Sequence, residues 1–127
     1  FNLGFPNAYD RQLDRTGSAL MVHGGCSSVG CYAIGDENVD EVYAVVEAAL
    51  KAGQAAVDVH AFPFRLTNTA LAAEAGHTWA PFWRNLKHGH DLFEARRQPP
   101  LVGACRGEYL FDTAAEGPEC AAIAAWS

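Results

Sequence analysis

The chain has 127 residues, half of them hydrophobic and 19% charged, with a formal net charge of -6. That length supports one domain with a real core and is short for two, and the composition excludes a disordered chain. The acidic balance argues against a nucleic-acid partner, since Arg11, Arg15, Arg96 and Arg97 make no strong basic patch. No apolar run reaches the roughly 18 residues of a membrane span.

In chain order, residues 1–18 read as irregular, with Gly4, Pro6, Asn7 and Gly17 as breakers. Residues 19–23 form a short apolar run that fits a buried strand, followed by a glycine-rich loop. Asp36 reads as a helix N-cap. Val39, Val42, Tyr43, Val46, Ala49 and Leu50 then recur at helical spacing, and Gly53 supplies the stop. Residues 56–60 alternate enough for a strand, closed by Pro63.

Thr67 is placed to cap a short helix over 68–75, ended by Gly76, and Pro81 suits the first turn of another. Phe82, Trp83, Leu86 and Phe93 would line its buried face. Pro99 and Pro100 force an extended segment. Residues 101–104 and 108–111 read as a hairpin turning at Arg106-Gly107. The Ala-rich tail, 113–127, has no clear pattern, and Trp126 within it is either a docking residue or unstructured. The order of elements predicts an α+β fold in a single domain over 1–127.

The chemistry concentrates in His23-Gly24-Gly25-Cys26-Ser27-Ser28-Val29-Gly30-Cys31-Tyr32. A thiol becomes a strong nucleophile beside a base or cation, and glycines bring backbone N–H groups close to a substrate carbonyl. Cys31 is therefore a candidate nucleophile, against the bland alternative of an inert packed cysteine. Gly30 and Cys31 amides are candidates for an oxyanion hole. His23 is the candidate base, oriented by the Gly24 carbonyl because no acid stands nearby in the sequence. Ser28 either bonds the reacting groups or caps the turn, and Cys26 is either a resolving thiol or a packing residue. His60 and Arg65 are candidate substrate contacts, Arg65 for a carboxylate. Cys105 and Cys120, about the predicted hairpin, are the pair to close in an oxidising compartment. A zinc site built on His23, Cys26 and Cys31 with Cys105 or His60 matches no common ligand spacing, so no metal and no cofactor are expected.

Taken together, His23 to Ala33 resembles the active-site signature of the YkuD-type L,D-transpeptidases, nearest to their YafK/DpaA-like murein branch. Phe5-Pro6-Asn7-Ala8-Tyr9-Asp10-Arg11, Thr16-Gly17-Ser18, Phe62-Pro63-Phe64-Arg65, Phe82-Trp83-Arg84-Asn85-Leu86-Lys87 and Pro99-Pro100 extend the likeness over about residues 1–111. The resemblance implies a catalytic domain with a mixed β-sheet and flanking helices whose first strands lie before Phe1. It implies Cys31 as nucleophile, His23 as base, Gly24 as the orienting carbonyl, and Ser28 and Gly30 shaping the loop. Where the wider family has a histidine before Gly-Cys this chain has Val29, and where it has an arginine two residues after the cysteine this chain has Ala33. Arg65 is the candidate to take over one of those contacts.

The implied partners are peptidoglycan stem peptides and a murein-bound lipoprotein, and the implied location is the periplasm or cell envelope. The implied chemistry is acyl transfer through a thioester to an amine or to water. A non-catalytic peptidoglycan-binding domain and a zinc-stabilised structural module are the alternatives.

Overall fold

The structure, a computed structural model, describes residues 1–124. Trp126 lies outside the described residues. Helices and short strands share the chain, as an α+β fold requires. The described residues divide into two compact units, one of Phe1–Asn7 with Thr16–Val59 and one of Ala8–Arg15 with His60–Ala124.

In the first unit, β1 (Val22–His23) pairs in parallel with β2 (Tyr32–Ala33), Val22 opposite Tyr32 and His23 opposite Ala33. The Tyr32 N–H donates to Met21 O at 2.8 Å and the Ile34 N–H to His23 O at 3.1 Å. Parallel strands usually need a long crossover. Residues 24–31 suffice here because each strand is two residues long and Gly25 and Gly30, at φ +76° and +96°, turn the chain sharply. The run expected to be a buried strand over 19–23 is thus shorter and only half-buried.

The first long helix, Asp36–Lys51, follows β2 in this unit. Its N-cap is Gly35, at φ +84°, and not Asp36 as the sequence suggests. Asp36 opens the helix, and its side chain accepts a hydrogen bond from the preceding loop. Asp36 and Glu37 at the start and Lys51 at the end suit the helix dipole. Gly53 ends the helix at φ +97°, as expected. Val39, Val46 and Ala49 are half-buried, whereas Val42, Tyr43 and Leu50 of the same apolar set are exposed. The strand expected over 56–60 is absent: those residues join no strand and are all exposed, and alternation alone does not make a strand without an edge to join.

The second unit holds the buried side chains Tyr9, Leu66, Ala80 and Ala104. Its first helix, α1 (Ala8–Gln12), falls in the stretch that reads as irregular. Five residues carry no helical period, and tertiary contacts make the turn: Tyr9 stacks on Tyr109 at 4.2 Å and on Phe82 at 5.5 Å. Gln12 Nε2 donates to Ala104 O and Glu119 O, and its Oε1 accepts from the Gly107 N–H. With Asp36–Lys51 as α2, the next helices are α3 (Asn68–Ala73) and α4 (Ala80–Arg96). Thr67 caps α3 as expected, its Oγ1 accepting from the Ala70 N–H at 3.1 Å.

The sheet of this unit has the order β4-β3-β5 and is antiparallel throughout, with β3 Val102–Cys105, β4 Glu108–Phe111 and β5 Cys120–Ala122. Arg106 and Gly107 both have positive φ, which gives the twist that a two-residue hairpin needs. Strand β5 arises in the Ala-rich tail, where it sets Cys120 opposite Cys105 and a disulfide joins them. The described strands therefore form two small sheets where a single mixed sheet was expected: a parallel pair with an antiparallel bridge between Asn2 and Met21 beside it, and a sheet that is antiparallel throughout.

Helix α4 is tied to β4 by Asn85, whose side chain donates to Tyr109 O and accepts from Tyr109 N–H, both at 2.9 Å. One turn further on, Gly89 is buried, and a Cβ there would lie 2.3 Å from the Phe111 ring. At the last residue of α4, Arg96 hydrogen-bonds Asp112 and holds its carboxyl below the usual range. Gly89→Ala is expected to destabilise the protein. Overpacking of about 1–3 kcal/mol outweighs the helix-propensity gain of about 1 kcal/mol. A lower denaturation midpoint than wild type checks this, and an unchanged midpoint refutes it.

Candidate active site

Residue His23 closes β1. Its Nδ1 lies 2.5 Å from the Gly24 carbonyl oxygen. A carbonyl only accepts, so this contact assigns the ring proton to Nδ1 and leaves the Nε2 lone pair for chemistry.

The same peptide group is held from its other end. The Gly25 N–H donates to Asp36 Oδ1 at 2.7 Å, while Gly25 O accepts from the Gly35 N–H at 2.8 Å. The turn is therefore fastened to the first residue of α2. Gly24 has no room for a side chain: a Cβ would stand 2.4 Å from Asp36 Oδ1 and 3.2 Å from Val39 Cγ1.

Half-buried Cys31 sits immediately before β2 with a free thiol. Its N–H donates to Ser28 Oγ at 3.0 Å, and its Sγ lies 3.7 Å from Ala19 O, a distance suited to a weak S–H donor. Ser28 thus closes a turn onto the Cys31 amide. Gly30 takes φ +96° with open space where a Cβ would be, so its glycine serves the backbone path and not a close contact. The other free thiol, Cys26, is exposed in the same loop. Pairing of β1 with β2 brings the His23 and Cys31 segments onto neighbouring strands.

The two further candidates belong to the second unit. His60 is exposed and meets Phe62 and Phe93 edge-on, at 6.1 Å each. Arg65 is exposed, and its carbonyl accepts from the Thr67 N–H at 2.8 Å. In that unit Trp83 packs against His77 and Phe64, Phe82 stacks on Tyr9, and Trp79 is exposed. No group of three or more His, Cys, Asp or Glu side chains is placed to hold a metal among the described residues. No helix among them is long and apolar enough to cross a membrane.

Asp36 is the residue that sequence reasoning assigned differently, as a cap for its own helix. Only its acidic character at a helix start was readable, because its partner is eleven positions earlier in the chain.

No family model matches the chain. Similar proteins include one from Escherichia coli strain K12 and one from Escherichia coli O157:H7, each carrying the provisional name L,D-transpeptidase YafK. Each is 43% identical over 109 residues, which is 86% of this chain and 44% of the relative. The chain thus spans less than half the length of the curated relatives it matches.

Proposed function

The chain belongs to the YkuD-type, YafK-like family, and from that premise we propose that it performs thiol acyl transfer on peptidoglycan stem peptides, with Cys31 as nucleophile and His23 as base. The observation that carries this reading is the His23 Nδ1 contact with Gly24 O, which presents Nε2 as a base on the strand beside Cys31. Cys31 directly precedes Tyr32 of β2, which pairs with Val22, the neighbour of His23 on β1.

In the proposed mechanism His23 Nε2 takes the Cys31 proton and the thiolate adds to the amide carbonyl of the substrate. The imidazolium returns that proton to the departing amine as the C–N bond breaks, leaving a thioester on Sγ. An incoming amine or water, deprotonated by the same imidazole, cleaves the thioester and regenerates the thiol. An amine acceptor joins two stem peptides. Water gives hydrolysis, and with a murein-linked lipoprotein as leaving group it gives release of that lipoprotein. Ser28 and Gly30 shape the loop that presents the thiol, and Arg65 and His60 are assigned to substrate contact on their chemistry alone. Such a substrate places the protein in the periplasm or cell envelope.

Incubation with lipoprotein-bearing sacculi, read by mass spectrometry of the released products, tests the reading. Newly joined stem peptides mean transpeptidation, and released lipoprotein means hydrolysis. Neither product, with sacculi bound, overturns the enzyme reading in favour of a binding domain.

A further inference from the structure

The Gly24 carbonyl that meets His23 and the Gly25 N–H that meets Asp36 are the two ends of one peptide group. In a planar trans peptide these bonds point in opposite directions. A carboxylate that fixes the N–H therefore fixes the direction of the carbonyl. We propose that Asp36 is a positioning residue for His23, acting through the Gly24–Gly25 peptide group. This rests on the reading of His23 as the base.

Three observations converge on it. Asp36 Oδ1 accepts the Gly25 N–H at 2.7 Å, a short bond for an amide donor and typical of a charged acceptor. Gly24 packs on the same oxygen with no space for a Cβ, so the turn and the carboxylate fit each other. The neighbouring Gly35 N–H to Gly25 O bond, 2.8 Å, anchors the turn a second time at the same helix start. A chain of hydrogen bonds from carboxylate through peptide to imidazole polarises each member in the same sense. The acid that an imidazole base commonly uses as its orienting partner is thereby supplied one peptide bond away. Asp36 touches neither thiol nor substrate in this arrangement. Its role is to hold the ring in the Nδ1–H tautomer, with Nε2 facing the chemistry.

The test compares wild type with Asp36→Ala and Asp36→Asn, since Asn keeps an acceptor oxygen. Imidazole 15N spectra, with the His23 signals assigned from a His23 variant, read the tautomer directly and need no turnover. Sacculi turnover is measured alongside. Asp36→Ala is expected to give a mixture of tautomers and a kcat lower by about 10–100-fold at little-changed KM, as for a misplaced catalytic group. Asp36→Asn is expected to stay near wild type in both readouts. Gly24→Ala, which drives a Cβ into Asp36 Oδ1, is expected to reproduce the Asp36→Ala spectrum. The proposal is overturned if Asp36→Ala keeps the wild-type tautomer, or if Asp36→Asn is as disturbed as Asp36→Ala. Should Asp36→Ala fail to fold, the Asp36→Asn and Gly24→Ala spectra still decide. Tautomer changes as expected in a protein without turnover would leave the positioning role standing and remove the proposed function instead.

Discussion

Cys31→Ala is expected to abolish turnover on sacculi, with a loss on the order of 10⁴–10⁶-fold, the scale seen when an enzyme loses its nucleophile. The reasoning is chemical: neither alanine nor Ser28, whose Oγ is engaged by the Cys31 amide, can form the thioester. Folding should survive. The thiol makes one weak contact, 3.7 Å from Ala19 O, in a loop whose neighbours are exposed, so its removal opens no sizeable cavity. Thermal midpoint and turnover together separate the two effects. An unchanged midpoint with no product and no trapped thioester is the expected pair. Retained turnover would remove Cys31 from the mechanism and with it the proposed chemistry.

His23→Ala is expected to cost about 10²–10⁴-fold in kcat/KM, the usual worth of a positioned general acid–base. The loss should be smaller than that of Cys31→Ala, because the nucleophilic sulfur remains. It should also be partly restored by imidazole in solution, which can enter the space that the ring leaves. His23 is half-buried, and among the described contacts its ring bonds only the adjacent Gly24 carbonyl, so the variant should fold. Trapping the acyl-enzyme with a slow substrate would show slower acylation. Acylation at the wild-type rate would mean that another group deprotonates Cys31, and the tautomer argument built on Gly24 would lose its purpose.

Much of the secondary structure was legible because its signals are local. Thr67 caps α3 through an amide three residues away, and Gly53 stops α2 where the periodic residues run out. Arg106-Gly107 turns the hairpin with both residues at positive φ. The misreadings occur where length or partners decide. Helix α1 is too short for a period and is held by the Tyr9 ring stack and the Gln12 side chain. Strand β5 has a composition that favours nothing in particular and forms because β3 offers it an edge and Cys105 a partner. Residues 56–60 have the alternation of a strand but no strand edge to pair with.

The candidate site divides in the same way. By itself, the sequence singled out the candidate residues: a thiol, an imidazole and the glycines between them, close enough along the chain that one loop must hold them together. It also suggested the Gly24 carbonyl as the partner of His23, a contact between adjacent residues. Only the tertiary structure decided that the Ser28 hydroxyl meets the Cys31 amide, and that parallel pairing sets β1 beside β2. It alone made Asp36 a brace for the glycine turn instead of a cap for its own helix. The physical reason is that a side-chain oxygen at a helix start has several amides of similar energy within reach. Which one it takes depends on how the helix docks against the loop, and no pattern along the chain encodes that distance.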